Sequence, residues 1–108
     1  MDAPKPAPFG FTDSNLAPWR PSTFAPGVSI KDLGASDGQR IELVRCEPGV
    51  RFPRHTHAGP EFIYVLDGEA IQRGRRLGPG CVGIAPSGSE EDDFKSETGC
   101  TFLLVYTE

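Results

Sequence analysis

The chain has 108 residues, including 13 glycines and 11 prolines, and only 37% of it is apolar. That length fits one domain of about 100–150 residues, and a helical bundle is excluded, because Gly and Pro each cost about 1–3 kcal/mol inside a helix. The net charge of −4 speaks against nucleic-acid binding by phosphate neutralisation, and no apolar run reaches the roughly 20 residues that span a bilayer.

The chain opens on MDAPKPAPFG, which has no apolar stretch of the secretory type. Cys46, Cys81 and Cys100 are odd in number, widely spaced and form no CxxC pair. That usage suits a reducing cytoplasm and small buried thiols. Residues 1–26 read as a Pro-rich leader, with disorder expected over about the first eight. Its later part carries Phe11, Leu16 and Trp19, which would pack on the domain or on a second copy of the chain.

From Gly27 to the end the pattern is that of strands. Val28–Leu33 alternates apolar and polar residues, and Gly34–Gly38 is a turn cluster. Gln39–Glu47 reads as a strand with Ile41 and Leu43 on one face. Phe62–Asp67, Gly68 and Glu69–Arg73 together predict a hairpin. A turn at Gly78–Gly80 precedes a short strand at Val82–Ala85, a second turn at Pro86–Gly88, and a strand at Cys100–Tyr106. Strands recurring every 8–12 residues with turns between them predict an all-β sandwich or barrel over 27–108.

The two histidines of the chain are His55 and His57. In an extended strand, residues two apart project to one side, so both imidazoles share a face. Glu61 follows after Ala58-Gly59-Pro60, a segment able to turn the chain. Two imidazoles and one carboxylate converging from a sheet make a transition-metal site with positions open for substrate. The same spacing also fits two solvated loop histidines beside an unrelated Glu. There is no GxSxG, GxGxxG or Walker-type loop, so triad hydrolysis and phosphate chemistry lack support.

Gly49, five residues, His55-Thr-His57, three residues, Glu61, six residues and Gly68 reproduce the first motif of the cupins. Gly80, five residues, Pro86, one residue and Gly88 match the opening of the second. The chain therefore resembles the cupin superfamily. The resemblance implies a small double-stranded β-helix, a jelly-roll barrel of RmlC-like type, with one divalent metal inside. It also implies that Leu33–Cys46 and Cys100–Tyr106 complete the walls, and that the protein pairs as a homodimer.

The second motif departs from the family. Its histidine falls on Glu91 and its asparagine on Lys95. Either Glu91 is a fourth ligand beside His55, His57 and Glu61, giving a set suited to Fe, Mn or Zn, with Ni also possible, or Glu91 belongs to a solvated acidic run, residues 90–93. A metal-free scaffold is the remaining outcome. His55-Thr-His57-Ala-Gly-Pro and Ala85-Pro86-Ser87-Gly88 look like acetylacetone-cleaving dioxygenases of the cupin class. The overall run, from Pro48-Gly49-Val50-Arg51-Phe52-Pro53 to Ser96-Glu97-Thr98-Gly99-Cys100-Thr101, is similar to the cupin half of ChrR-type anti-sigma factors, which use it as a sensor.

These resemblances imply a metal-dependent enzyme acting on a small organic substrate by dioxygenase-like or Lewis-acid chemistry, or else a non-catalytic sensing module working through a protein partner. A Glu91 outside the metal shell would be a general base. Tyr64 shares a face with Phe62 and Leu66 and would either pack or, projecting inward, orient a substrate. Arg73, Arg75 and Arg76 surround a turn and would bind an anion or keep the surface soluble. Cys46 and Cys81 are further candidates as soft ligands.

Overall fold

The computed structural model describes residues 5–108. It contains no helix among them and twelve strands: β1 (Arg20–Pro21), β2 (Val28–Ser36), β3 (Gln39–Cys46), β4 (Val50–Arg51), β5 (His55–Thr56), β6 (Glu61–Gly68), β7 (Ala70–Gln72), β8 (Arg75–Leu77), β9 (Val82–Ala85), β10 (Glu90–Glu91), β11 (Phe94–Ser96) and β12 (Cys100–Thr107). Six form one antiparallel sheet in the order β1-β2-β3-β12-β6-β9. Four form a second sheet, β4-β11-β7-β8, and β5 pairs with β10 between them. The architecture is the all-β jelly roll that the motif spacing implies.

Alternation decides which side chains face inward. On β12, Cys100 and Phe102 are buried, and on β3, Val44 and Cys46 meet them from the paired strand. Val65, Ala70, Phe94 and Leu77 complete the core between the sheets. Ile41 and Leu43 do share a face, as the sequence predicts, but the buried face of β3 is the other one, carrying Glu42, Val44 and Cys46. The outward face of β6 likewise bears Phe62, Tyr64 and Leu66, all exposed.

The hairpin predicted across Gly68 does not form. β6 lies between β12 and β9 in the first sheet, whereas β7 lies between β11 and β8 in the second. Gly68 has φ +73°, and a Cβ there would sit 2.8 Å from Cys100 Cα. A bare backbone at that point lets the chain pass from one sheet to the other close under β12. The hairpins that form are β2–β3, turning on Asp37-Gly38, and β7–β8, turning on Arg73-Gly74. Both turn residues have positive φ in each case, the geometry that matches strand twist in a two-residue loop.

The expectation of disorder at residues 1–8 falls in part outside the described residues. Within them, Phe9, Phe11 and Leu16 are exposed. Trp19 instead lies beneath two cations, Lys31 Nζ at 4.9 Å and Arg45 Cζ at 4.1 Å from its ring centre. Arg20–Pro21 then pairs with β2, and Ala25 is buried in the core. The end of the leader is thus laid along the barrel and reaches its mouth.

Candidate metal centre and cavity

A cavity of about 680 Å³ opens between the sheets, within the usual range of small-molecule sites. His55, His57, Glu61 and Glu91 all line it. His55 stands on β5, directly opposite Glu91 on β10. Residues opposed across an antiparallel pair project to the same side, so this register carries Glu91 inward with the imidazoles. The rest of the acidic run is paired with arginines: Glu90, exposed at the cavity edge, bonds Arg54, Asp92 bonds Arg73 at 2.9 Å, and Asp93 faces Arg51 at 3.8 Å. Three of the four acidic residues are a solvated, paired face, and Glu91 is the exception.

Both imidazoles are oriented from behind. His55 Nδ1 lies 3.0 Å from the Pro53 carbonyl. A carbonyl only accepts, so Nδ1 carries the proton and Nε2 keeps its lone pair. His57 Nδ1 lies 3.0 Å from the Ser89 hydroxyl. The His57 backbone N–H donates to Ser89 O and its carbonyl accepts from Gly88 N–H, at 2.9 and 2.8 Å. The Pro86–Gly88 turn read in the sequence is therefore the brace of His57. His55 also packs edge-on against Phe24 of the leader and against His57, with ring centres 4.8 Å apart in each case.

What these side chains aim at is a shared point. One ligand atom each of His55, His57 and Glu91 lies within 4.8 Å of the others. His57 Nε2 is 3.0 Å from Glu61 Oε2 and 3.6 Å from Glu91 Oε2. Among the described residues, His57 Nε2 and Glu91 Oε1 are sealed from solvent without a hydrogen-bond partner. Leaving such groups unpaired costs about 1–3 kcal/mol each. Burial raises the Glu61 carboxyl above its ordinary pKa, against the pull of His57 and His55, with Glu91 and Glu42 pushing it further up. Two converging imidazoles and crowded carboxylates fit a divalent cation, which satisfies both the buried polar atoms and the repulsion.

Loop 58–60 is fixed by sterics. A Cβ on Gly59 would lie 2.5 Å from Thr107 Cβ, so the link from His57 to Glu61 tucks against the end of β12 only as glycine.

Of the other sequence candidates, Arg73 alone lines the cavity. Tyr64 does not project into the barrel; it is 46% exposed on the outer face, because alternation gives the inner positions of β6 to Glu61, Ile63 and Val65. Cys46 and Cys81 do not line the cavity. Cys46 lies across from Cys100 in the core, and contact with Cys46 lowers the Cys100 thiol to about 7. The arginines form no anion site: Arg73 is taken by Asp92 and Arg76 by Glu69, and Arg75 is exposed on β8.

Three cavity residues escape sequence reading. Glu42 on β3 is 4% exposed, and Tyr106 on β12 donates its hydroxyl to Glu42 Oε2 at 3.0 Å. Arg20, from the leader, holds Asp32 through two bonds of 2.6 and 2.9 Å at the rim. A Glu between Ile41 and Leu43 reads as the solvent side of a strand, and nothing local marks it as buried.

Comparison with known structures places the fold. A candidate acetylacetone dioxygenase from Methylibium petroleiphilum PM1 superposes with a TM-score of 0.87 at 18% identity, covering 98% of this chain and 81% of that one. An acetylacetone dioxygenase from Acinetobacter johnsonii gives 0.77 at 18%, covering 99% and 78%. A chain of the Rhodobacter sphaeroides SigE complex with the anti-sigma ChrR gives 0.74 at 26%, covering 85% of this chain and 50% of that chain. No curated protein matches the chain. Residues 10–108 match the family model of the ChrR cupin-like domain, and the chain belongs to that cupin family.

Proposed function

We propose that the protein is a divalent-metal-dependent cupin enzyme acting on a small organic substrate, with His55, His57, Glu61 and Glu91 holding the metal. The observation that carries this reading is the convergence of His55, His57 and Glu91, whose ligand atoms lie within 4.8 Å of one another beside a cavity of substrate size, with His57 Nε2 and Glu91 Oε1 buried and making no hydrogen bond. Two imidazoles with two carboxylates suit Fe, Mn or Zn, with Ni also accommodated. The chemistry such an ion supplies is polarisation of a carbonyl or enolate oxygen or, for Fe(II), reaction with dioxygen.

The chain's own residues do the rest. Pro53 and Ser89 hold the imidazoles in one orientation, and the Pro53 carbonyl keeps the His55 proton on Nδ1. Phe52, Phe94, Ile63 and Leu104 wall the cavity, so an apolar substrate body displaces water there. A Glu91 outside the metal shell would instead be the general base that takes a proton from the substrate. Membership of the ChrR cupin-like family, with an anti-sigma complex among its structural neighbours, supports a second reading: a metal-bound sensor that signals to a protein partner.

We further propose a cytoplasmic homodimer. The free thiols support the compartment, and the open apolar face of β6 and β9 supports the pairing. The domain division proposed is a leader at 1–26 and a barrel at 27–108. Metal analysis by mass spectrometry, on protein purified without chelating resin, tests the function. About one Fe or Mn ion per chain, lost in His57→Ala, is expected for the enzyme; tight Zn in a closed shell favours the sensor. No metal under any loading condition overturns both and leaves a scaffold.

A further inference from the structure

Glu42 is a buried carboxylate in the cavity wall that the metal centre leaves unused. Its one hydrogen bond and its nearest arginine contacts fall on one oxygen. Oε2 accepts from Tyr106 at 3.0 Å and faces Arg40 Nε at 3.7 Å and Arg20 Nη2 at 3.8 Å. Oε1 accepts no hydrogen bond among the described residues, yet it is not one of the sealed atoms, so it opens onto the cavity that Glu42 lines. An ionised carboxylate offers about four acceptor positions, so one hydrogen bond leaves most of its capacity free. Its neighbours toward the core are apolar: Val44 follows two residues on, and Leu104 is its partner on β12.

We infer that Glu42, set by Tyr106, is a second ligand-binding position of the cavity, which accepts a hydrogen bond from a hydroxyl group on an otherwise apolar ligand. The ligand class follows from charge. Arg20 and Arg40, held mainly by Asp32 and Glu108, both stand within 4 Å of Glu42, so a cationic ligand meets two like charges there. A neutral O–H donor gains a charge-assisted bond in a site shielded from water. The surrounding Ile30, Val44 and Leu104 take the apolar part. The inference rests on the cavity being the substrate site, but on no property of the metal. It narrows the substrate class to hydroxylated, mainly apolar molecules such as alcohols, phenols or enols.

Binding of p-cresol and toluene, two probes differing by one hydroxyl, tests this by titration calorimetry. Protein as purified and protein stripped with a chelator are both titrated, since a phenol oxygen also has affinity for metals. Wild type is expected to bind p-cresol about tenfold more tightly than toluene in both forms, the gain of one hydrogen bond to a charged acceptor. In Glu42→Met that advantage falls below twofold, while toluene binding and metal content stay unchanged. Should Glu42→Met not fold, Glu42→Gln serves: it keeps the shape, replaces the charged acceptor by a neutral amide oxygen, and lowers the p-cresol advantage to below about threefold. Equal affinities in wild type, no binding of either probe, or an advantage that survives in Glu42→Met overturns the inference. None of these outcomes bears on the metal reading, which the metal analysis of His57→Ala decides separately.

Discussion

The two faces of the six-stranded sheet reverse the usual order of inside and outside. The inner face, toward the mouth, carries Glu42, Glu61 and Tyr106 around the cavity. The outer face carries Phe62, Tyr64, Leu66, Val82 and Ile84, exposed by 43 to 68%. Water-facing apolar rows and buried carboxylates both cost free energy in an isolated chain. The inner face is the site proposed for an ion and a ligand, and the outer face the surface proposed for pairing. Deeper in the barrel the ordinary rule returns, with Val44, Phe102 and Val65 filling one layer.

Breaking the inner face at its apolar floor has the largest expected effect. Phe102→Ala removes a ring that contacts Phe94 at 5.5 Å between centres, and chemical denaturation should show a loss of about 3–5 kcal/mol. Gly59→Ala comes next. The added Cβ collides with Thr107, so the His57–Glu61 link shifts; unfolding should show a cost of about 1–3 kcal/mol, and calorimetry a weaker metal affinity.

The outer face answers differently to mutation. Ile84→Lys should leave chain stability within about 0.5 kcal/mol, as expected of an exposed position, while light scattering shows a dimer turned into monomer. A wild type that is monomeric at all concentrations removes the pairing claim. The smallest effect concerns the rim. Arg20 holds the Asp32 carboxyl below its ordinary pKa, chiefly through their hydrogen bond. A lowered folded-state pKa contributes stability above the unfolded value near 4, and this is lost as pH falls through the folded value. Asp32→Asn should flatten the acid limb of the stability profile, and only slightly, because both partners are solvent-exposed and screened by salt.

Much of the metal group is legible in the amino-acid sequence. The step of two between His55 and His57 is an alternation argument; both imidazoles line the cavity although His57 lies just past the end of β5, and motif spacing brings Glu91 to the same place. The cross-strand register of β5 and β10 explains why Glu91 parts from its acidic neighbours, and strands of two residues are too short to leave a periodic signal. Glu42 is illegible for a different reason. Alternation along β3 separates Glu42 from Ile41 and Leu43 but does not say which face is buried, and hydrophobicity points the wrong way when the inner face holds a polar cavity. The same inversion hides the true placement of Tyr64. At Gly68 the turn is visible, but a change of sheet is a tertiary event that local turn chemistry does not distinguish from a hairpin.

The claim that the inward polar groups form a metal centre is tested most directly by thermal unfolding with and without added divalent metal, in wild type and in His57→Ala. Ligand that binds only the folded state raises its stability by about 2.7 kcal/mol at a hundred times the dissociation constant. A metal centre at this point predicts a rise of the melting temperature by several degrees in wild type, and none in His57→Ala. An unchanged melting temperature in wild type with Fe, Mn, Zn and Ni, or an equal rise in both proteins, would contradict it.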